Sequence, residues 1–138
     1  LSVAAFDAEV KDLELDPTLL VDVEPSFAPE LQFSGLARYE WPAMDGSLSV
    51  QADFNYSDDF YYNIRNFDSQ RYDDYVVGNF RVGYTSGDEK WSIAAFVNNV
   101  TDERYGVIGF DLATLCGCNE DYYGKPRWWG ASLRYNFF

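Results

Sequence analysis

Across residues 47–57 the chain alternates without a break, with Leu48, Val50, Ala52, Phe54 and Tyr56 on one side and Ser49, Gln51, Asp53 and Asn55 on the other. A period of two is the mark of a strand with one apolar face, so this segment predicts a β-strand. Residues 31–41 repeat the pattern less strictly: Leu31, Phe33, Ala37, Tyr39 and Trp41 oppose Gln32, Ser34, Arg38 and Glu40. Residues 42–46, Pro-Ala-Met-Asp-Gly, read as a short turn between them. A second pair follows at 75–84, with Val76, Phe80, Val82 and Tyr84 apolar, and at 91–99, with Trp91, Ile93, Ala95 and Val97 apolar; residues 85–90 join them. A last strand begins near Lys125, and in it Trp129, Ala131, Leu133, Tyr135 and Phe137 face away from Gly130, Ser132, Arg134 and Asn136. Residues 1–6 read as a strand fragment.

The connections alternate long and short: residues 7–30, 42–46, 57–74, 85–90 and 105–124. Outer-membrane barrels have this rhythm, with short periplasmic turns and long extracellular loops. Placing the short turns at the periplasm puts outward-facing Tyr39, Trp41, Tyr84, Trp91, Tyr135 and Phe137 at that end, and Phe54, Tyr56 and Trp129 at the other. Two aromatic girdles result. The expected fold is therefore all-β, an antiparallel transmembrane β-barrel to which this chain supplies about the last five strands. Five strands and a fragment leave open edges that hydrocarbon cannot satisfy, so earlier strands must come from outside residues 1–138. A soluble antiparallel sandwich or lipocalin-like barrel also alternates at period two and stays open as an alternative.

Composition narrows the function. Aromatic content is 19%, yet no apolar run approaches the roughly 18 residues a membrane helix requires. The net charge is -13 and the 10 Lys and Arg are scattered, which excludes a nucleic-acid partner. The absence of His removes His-based metal sites and general bases. Paired carboxylates without a motif for a shaped cleft do not make a glycosidase, so neither an enzyme nor a cofactor is expected. The chain starts at Leu1 without a Met or a signal peptide, which reads as a processed piece or a C-terminal portion and leaves its compartment unread.

Five short segments follow one another along the chain: Phe6-Asp7-Ala8-Glu9, Ala28-Pro29-Glu30, Asn98-Asn99-Val100-Thr101-Asp102-Glu103-Arg104-Tyr105, Tyr123-Gly124-Lys125-Pro126-Arg127 and Leu133-Arg134-Tyr135-Asn136-Phe137. In that order they resemble the C-terminal quarter or fifth of a TonB-dependent outer-membrane receptor. The resemblance spans essentially the whole chain. It implies a 22-stranded barrel with an N-terminal plug, in the outer membrane of a Gram-negative bacterium, importing a scarce solute such as a metal chelate, vitamin or glycan. It also implies three partners: the TonB complex through the plug, outer-membrane lipid and lipopolysaccharide, and barrel assembly machinery that reads a terminal aromatic among Tyr135, Phe137 and Phe138. Phe137 matches the family's final aromatic in parity, and Phe138 is one residue extra. No plug or TonB box is visible in this sequence. A plugless porin-like barrel is the other transport reading.

Candidate chemistry concentrates in the long connections. Tyr61, Tyr62, Arg65, Phe67, Arg71 and Tyr72 form an aromatic and basic run suited to anchoring a ligand, or to packing a long loop against itself. Cys116 and Cys118 flank one glycine; two thiols alone cannot complete a tetrahedral zinc site, and a cell-surface loop favours a disulfide. Asp58-Asp59, Asp73-Asp74, Asp102-Glu103 and Glu120-Asp121 read as solvated charge, or as cation bridges to lipopolysaccharide, without EF-hand spacing. Asn99-Val100-Thr101 and Asn55-Tyr56-Ser57 fit the glycosylation pattern but fall on strands. Asn99 and Asp102 are expected to bond local backbone at the end of a strand. Gln51, Asp53, Asn79, Arg81 and Arg134 are expected to face the lumen, with Arg38 pairing Asp53 across the first hairpin.

Overall fold

The structure, a computed structural model, describes residues 1–137. It contains β1 (Ser2–Ala5), β2 (Val10–Asp16), β3 (Leu19–Val23), β4 (Leu31–Ala43), β5 (Gly46–Ser57), β6 (Phe60–Tyr61) and β7 (Arg71–Tyr72). There follow β8 (Tyr75–Ser86), β9 (Trp91–Asn98), β10 (Gly106–Leu112), the single turn of helix α1 (Ala113–Cys116), β11 (Cys118–Tyr123) and β12 (Trp128–Tyr135). Six of these strands form one antiparallel sheet in the order β1-β4-β5-β8-β9-β12, a meander without crossovers. Neither β1 nor β12 pairs with a further strand among the described residues. The other strands pair as three separate hairpins, β2-β3, β6-β7 and β10-β11, each inside one of the long connections. No helix is long and apolar enough to cross a membrane.

The register carries the apolar pattern across the sheet. Tyr39, Val50, Val82, Ala95 and Ala131 are successive cross-strand partners, and so are Ala37, Ala52, Phe80, Val97 and Trp129. Directly opposed residues share a face, so these rows lie on one side. Gln51 with Arg81, Asp53 with Asn79, and Ser92 with Arg134 lie on the other. The apolar face carries no second layer: Tyr39 is 68% exposed, Leu133 64% and Trp129 82%. Among the described residues, the buried apolar side chains are Val23, Phe60, Tyr62, Tyr72 and Ala94, and three of these form one cluster in the hairpins at the long-connection end.

Some boundaries differ from the sequence reading. β4 runs on through Pro42 and Ala43 because the turn is only Met44 and Asp45, whose φ of 50° and 58° suit the right-handed twist of a two-residue hairpin. The terminal strand begins at Trp128 rather than near Lys125, since the Lys125 carbonyl accepts from Asn99 Nδ2 (3.1 Å) and the Arg127 N–H donates to Asp102 Oδ1 (2.7 Å) instead of joining the ladder. The long connections are not plain loops but hairpins. For β2-β3 the sequence did carry a signal, Leu13 and Leu15 against Asp12, Glu14 and Asp16, with Asp16 Oδ1 accepting from Thr18 to close the turn.

Candidate functional site

Two hairpins are bolted together at the long-connection end of the sheet. The Tyr72 ring lies 5.2 Å from Tyr62 and 5.6 Å from Phe60, centroid to centroid, and its hydroxyl reaches the Ile108 carbonyl (2.8 Å) and Asp121 Oδ1 (3.1 Å) on the neighbouring hairpin. Close approach is possible because β10 offers glycines under the rings. A Cβ at Gly109 would sit 2.6 Å from the Tyr62 ring, and one at Gly106 would collide with Tyr72. Tyr75 stacks on Tyr105 at 4.9 Å, and the Arg104 guanidinium lies 4.0 Å above the Tyr123 ring. The β2-β3 side joins through Glu24 N–H to Asn66 Oδ1 (2.6 Å) and Phe27 N–H to the Tyr61 carbonyl (2.8 Å). Burial, then the charge of Asp121, holds the Tyr72 and Tyr62 hydroxyls above the ordinary tyrosine range.

The six aromatic and basic residues of this run therefore have different fates. Tyr62 and Tyr72 are buried in the cluster. Tyr61 is half-buried, and Arg71 opposite it pairs with Asp59 at 2.7 Å. Arg65 pairs with Asp111 at 3.2 Å. Phe67 alone keeps a largely free ring, 50% exposed. The sequence pattern did not single out Gln70, Asp111 and Asn119, which lie beside this run: Gln70 Nε2 donates to Asp111 Oδ2 (2.9 Å), and Asn119 Nδ2 to the Ser69 carbonyl (3.2 Å). Each bond joins the turn of one hairpin, at Ser69 and Gln70, to the β10-β11 hairpin across 50 and 41 residues of sequence, and no local periodicity links them. The Asp111 carboxyl is held below its ordinary range by the Ala113 N–H first, then by Gln70 and Arg65.

Cys116 and Cys118 are joined by a disulfide, Cα–Cα 5.3 Å, around Gly117 at φ 67°, where the glycine permits the left-handed conformation that ends α1. The acidic pairs are partly engaged: Asp59 with Arg71, Asp121 with Tyr72, and Asp102 with Arg127 at 3.8 Å. Among the described residues, no group of three or more His, Cys, Asp or Glu is placed to hold a metal.

On the polar face, Asn79 Nδ2 donates to Asp53 Oδ2 (2.7 Å) and Asn79 Oδ1 accepts the Asn99 N–H (3.0 Å). Arg38 instead bonds Glu40 at 2.9 Å and the expected Arg38–Asp53 pair does not form; the ladder sets Arg38 opposite Gln51 and Asp53 opposite Leu36, diagonal neighbours whose charged groups are engaged elsewhere. Asn99, 2% exposed, holds local backbone at Glu103 through both its amide atoms. Asp102 bonds backbone 25 residues away, at Arg127. A hollow of about 580 Å³ opens on this face beneath the hairpins, lined by Gln32, Asn55, Asn79, Asn99, Tyr105 and Lys125 among others. At the opposite end, Tyr135 lies 4.4 Å from Trp91 and 4.8 Å from Phe137, while Asn136 continues the pairing of β12 by donating to the Lys90 carbonyl (2.9 Å). Phe138 lies outside the described residues.

Comparison with protein-family models, with curated proteins and with solved structures finds no match to the chain.

Proposed function

We propose that residues 1–138 are the closing strands of a TonB-dependent receptor in a Gram-negative outer membrane, a 22-stranded barrel importing a scarce solute such as a metal chelate, vitamin or glycan. The observation that carries this reading is the single unlayered apolar face, continuous over strands up to 13 residues long and lined by exposed aromatic and aliphatic side chains. A soluble protein rarely leaves so extended an apolar surface to water, whereas a bilayer covers it. The polar face, with Gln51, Asp53, Asn79, Arg81 and Arg134, then lines the lumen and meets the plug. The unpaired edges of β1 and β12 require neighbouring strands, because an open edge in hydrocarbon leaves N–H and C=O groups unsatisfied. The three hairpin-bearing connections face the medium, where they bind solute and contact lipopolysaccharide. The turns after β4 and β8 face the periplasm.

The test uses the full-length protein in its own outer membrane. Cysteines placed at Phe67 and at Asp45 are expected to react differently with a membrane-impermeant maleimide on intact cells: the first labels, the second does not. Unboiled protein from the membrane fraction is expected to migrate as a compact barrel on SDS gels. A protein found in the soluble fraction, or labelling at Asp45 alone, overturns the reading. Planar-bilayer conductance separates the importer from a porin, since a plugged barrel stays closed and an unplugged one conducts.

A further inference from the structure

A second, smaller hollow of about 310 Å³ lies between the 3-10 turn Asp68–Gln70 and the disulfide end of the β10-β11 hairpin, lined by Phe67, Ser69, Gln70, Asp111, Cys118 and Asn119 among others. This volume is at the lower end of the range for small-molecule pockets. Gln70, which lines it, is 1% exposed, and its Oε1 has no hydrogen-bond partner among the described residues. A buried acceptor left unpaired is costly, and native proteins nearly always satisfy such groups with protein, water or ligand. Rotating the amide does not solve the problem, because Nε2 is needed where it donates to Asp111 Oδ2 (2.9 Å). Gln70 Oε1, in a residue of the hollow's wall, therefore lacks a donor.

Charge limits what that donor belongs to. Asp111 is the one ionised group among the lining residues, and the Arg65 guanidinium at 3.2 Å balances it, so a cation gains little there. An anion meets a chain of net charge -13 and the neighbouring Glu120 and Asp121 carboxylates. A neutral ligand with several hydroxyls fits both limits, since one hydroxyl donates to Gln70 Oε1 and a second to Asp111, while each also accepts from nearby amides. Phe67, half-exposed at the rim, adds an apolar ring of the kind that orients ligands in such pockets. We infer that this hollow binds a neutral sugar residue, held by Gln70 and Asp111 with Phe67 against its apolar side. That the sugar is cargo rests on the receptor reading above; that it binds does not.

The full-length protein in detergent micelles is applied to an array of neutral hexose oligosaccharides and their hexuronate counterparts. Retention of neutral members over hexuronates is expected, and Gln70→Leu and Phe67→Ala are each expected to weaken the best neutral binder tenfold or more. Phe67→Ala removes a rim side chain outside the buried cluster, so it keeps the test decisive if Gln70→Leu disturbs the turn. Failure to retain any neutral oligosaccharide, or affinity unchanged in both variants, overturns the inference and leaves Gln70 to a trapped water. Compact gel migration of the same preparations reports separately on the barrel, so the two proposals fail independently.

Discussion

Tyr72→Phe and Tyr72→Ala divide the joint between the β6-β7 and β10-β11 hairpins into its polar and apolar parts. The hydroxyl is shared between the Ile108 carbonyl at 2.8 Å and Asp121 Oδ1 at 3.1 Å. A hydrogen bond of this type, one acceptor being charged, contributes roughly 1.5 kcal/mol net, so Tyr72→Phe should cost about that much. Removing the ring as well takes a 7%-exposed aromatic from contact with Phe60, Tyr62 and Tyr123. Such truncations cost roughly 3–5 kcal/mol. The effect is local, because the joint lies outside the six-stranded sheet. Hydrogen exchange of the full-length protein in micelles is the assay, since amides in β10 and β11 report opening of the joint separately from the sheet. At about 1.4 kcal/mol per decade, Tyr72→Phe should speed exchange there about tenfold and Tyr72→Ala between about a hundredfold and a few thousandfold, limited by the stability of the joint itself. Amides of β5, and of β8 beyond Tyr75, which packs against the cluster, should not change. Protection in β10 and β11 that survives Tyr72→Ala would refute the coupling.

Gly109→Ala places a methyl 2.6 Å from the rigid Tyr62 ring and should cost about 1–3 kcal/mol, measured as faster proteolysis of β10-β11 with unchanged gel migration of the barrel. Asn99→Ala removes the bonds to Glu103 N–H, the Glu103 carbonyl and the Lys125 carbonyl, each worth about 1 kcal/mol, and should raise exchange at the start of β12. In alkaline titration, the Tyr62 and Tyr72 hydroxyls, raised above the ordinary value of 10.0, stabilise the joint fully below that pH and lose this contribution as pH climbs toward their folded values. Tyrosinate absorbance should therefore show a late fraction that Tyr72→Phe reduces, and an unchanged curve would contradict the burial. Phe137→Ser should lower outer-membrane assembly of the full-length protein while deletion of Phe138 is tolerated; the opposite ranking would sink the parity assigned to Phe137.

The sheet was legible because its two faces carry different side chains at almost every rung. Leu48 to Tyr56 alternate since each apolar residue falls on the same side, and the pairing of β5 with β8 repeats the division with Val82, Phe80 and Val76. The hairpin joint is different. Tyr62 and Tyr72 pack onto Gly109 and Gly106, so one partner in each contact has no side chain, and hydropathy registers nothing at the position where the approach is closest. Gln70 and Asp111 meet only after two hairpins dock. Periodicity within either hairpin carries no trace of that meeting, which is why the aromatic run was visible as a group while its division into buried Tyr62 and Tyr72, paired Arg65 and Arg71, and free Phe67 was not.

The first hairpin shows that more could have been extracted from parity alone. Trp41 and Leu48 both belong to the apolar face, and in an antiparallel pair the residue numbers of opposed partners have a constant sum. Opposing Trp41 to Leu48 fixes that sum as odd, which demands an even number of residues in the turn. A five-residue turn at 42–46 opposes Trp41 to Ser47 and throws Trp41 onto the polar side. The two-residue turn of Met44 and Asp45 satisfies the parity, and the ladder extends through Pro42 opposite Ser47 to Ala43 opposite Gly46. The same sum sets Arg38 against Gln51 and Asp53 against Leu36. Arg38 and Asp53 are thereby diagonal neighbours on that face, a separation that a long side chain spans, and the ion pair is absent because each group has another partner: Glu40 for Arg38 at 2.9 Å, and Asn79, directly opposite, for Asp53 at 2.7 Å.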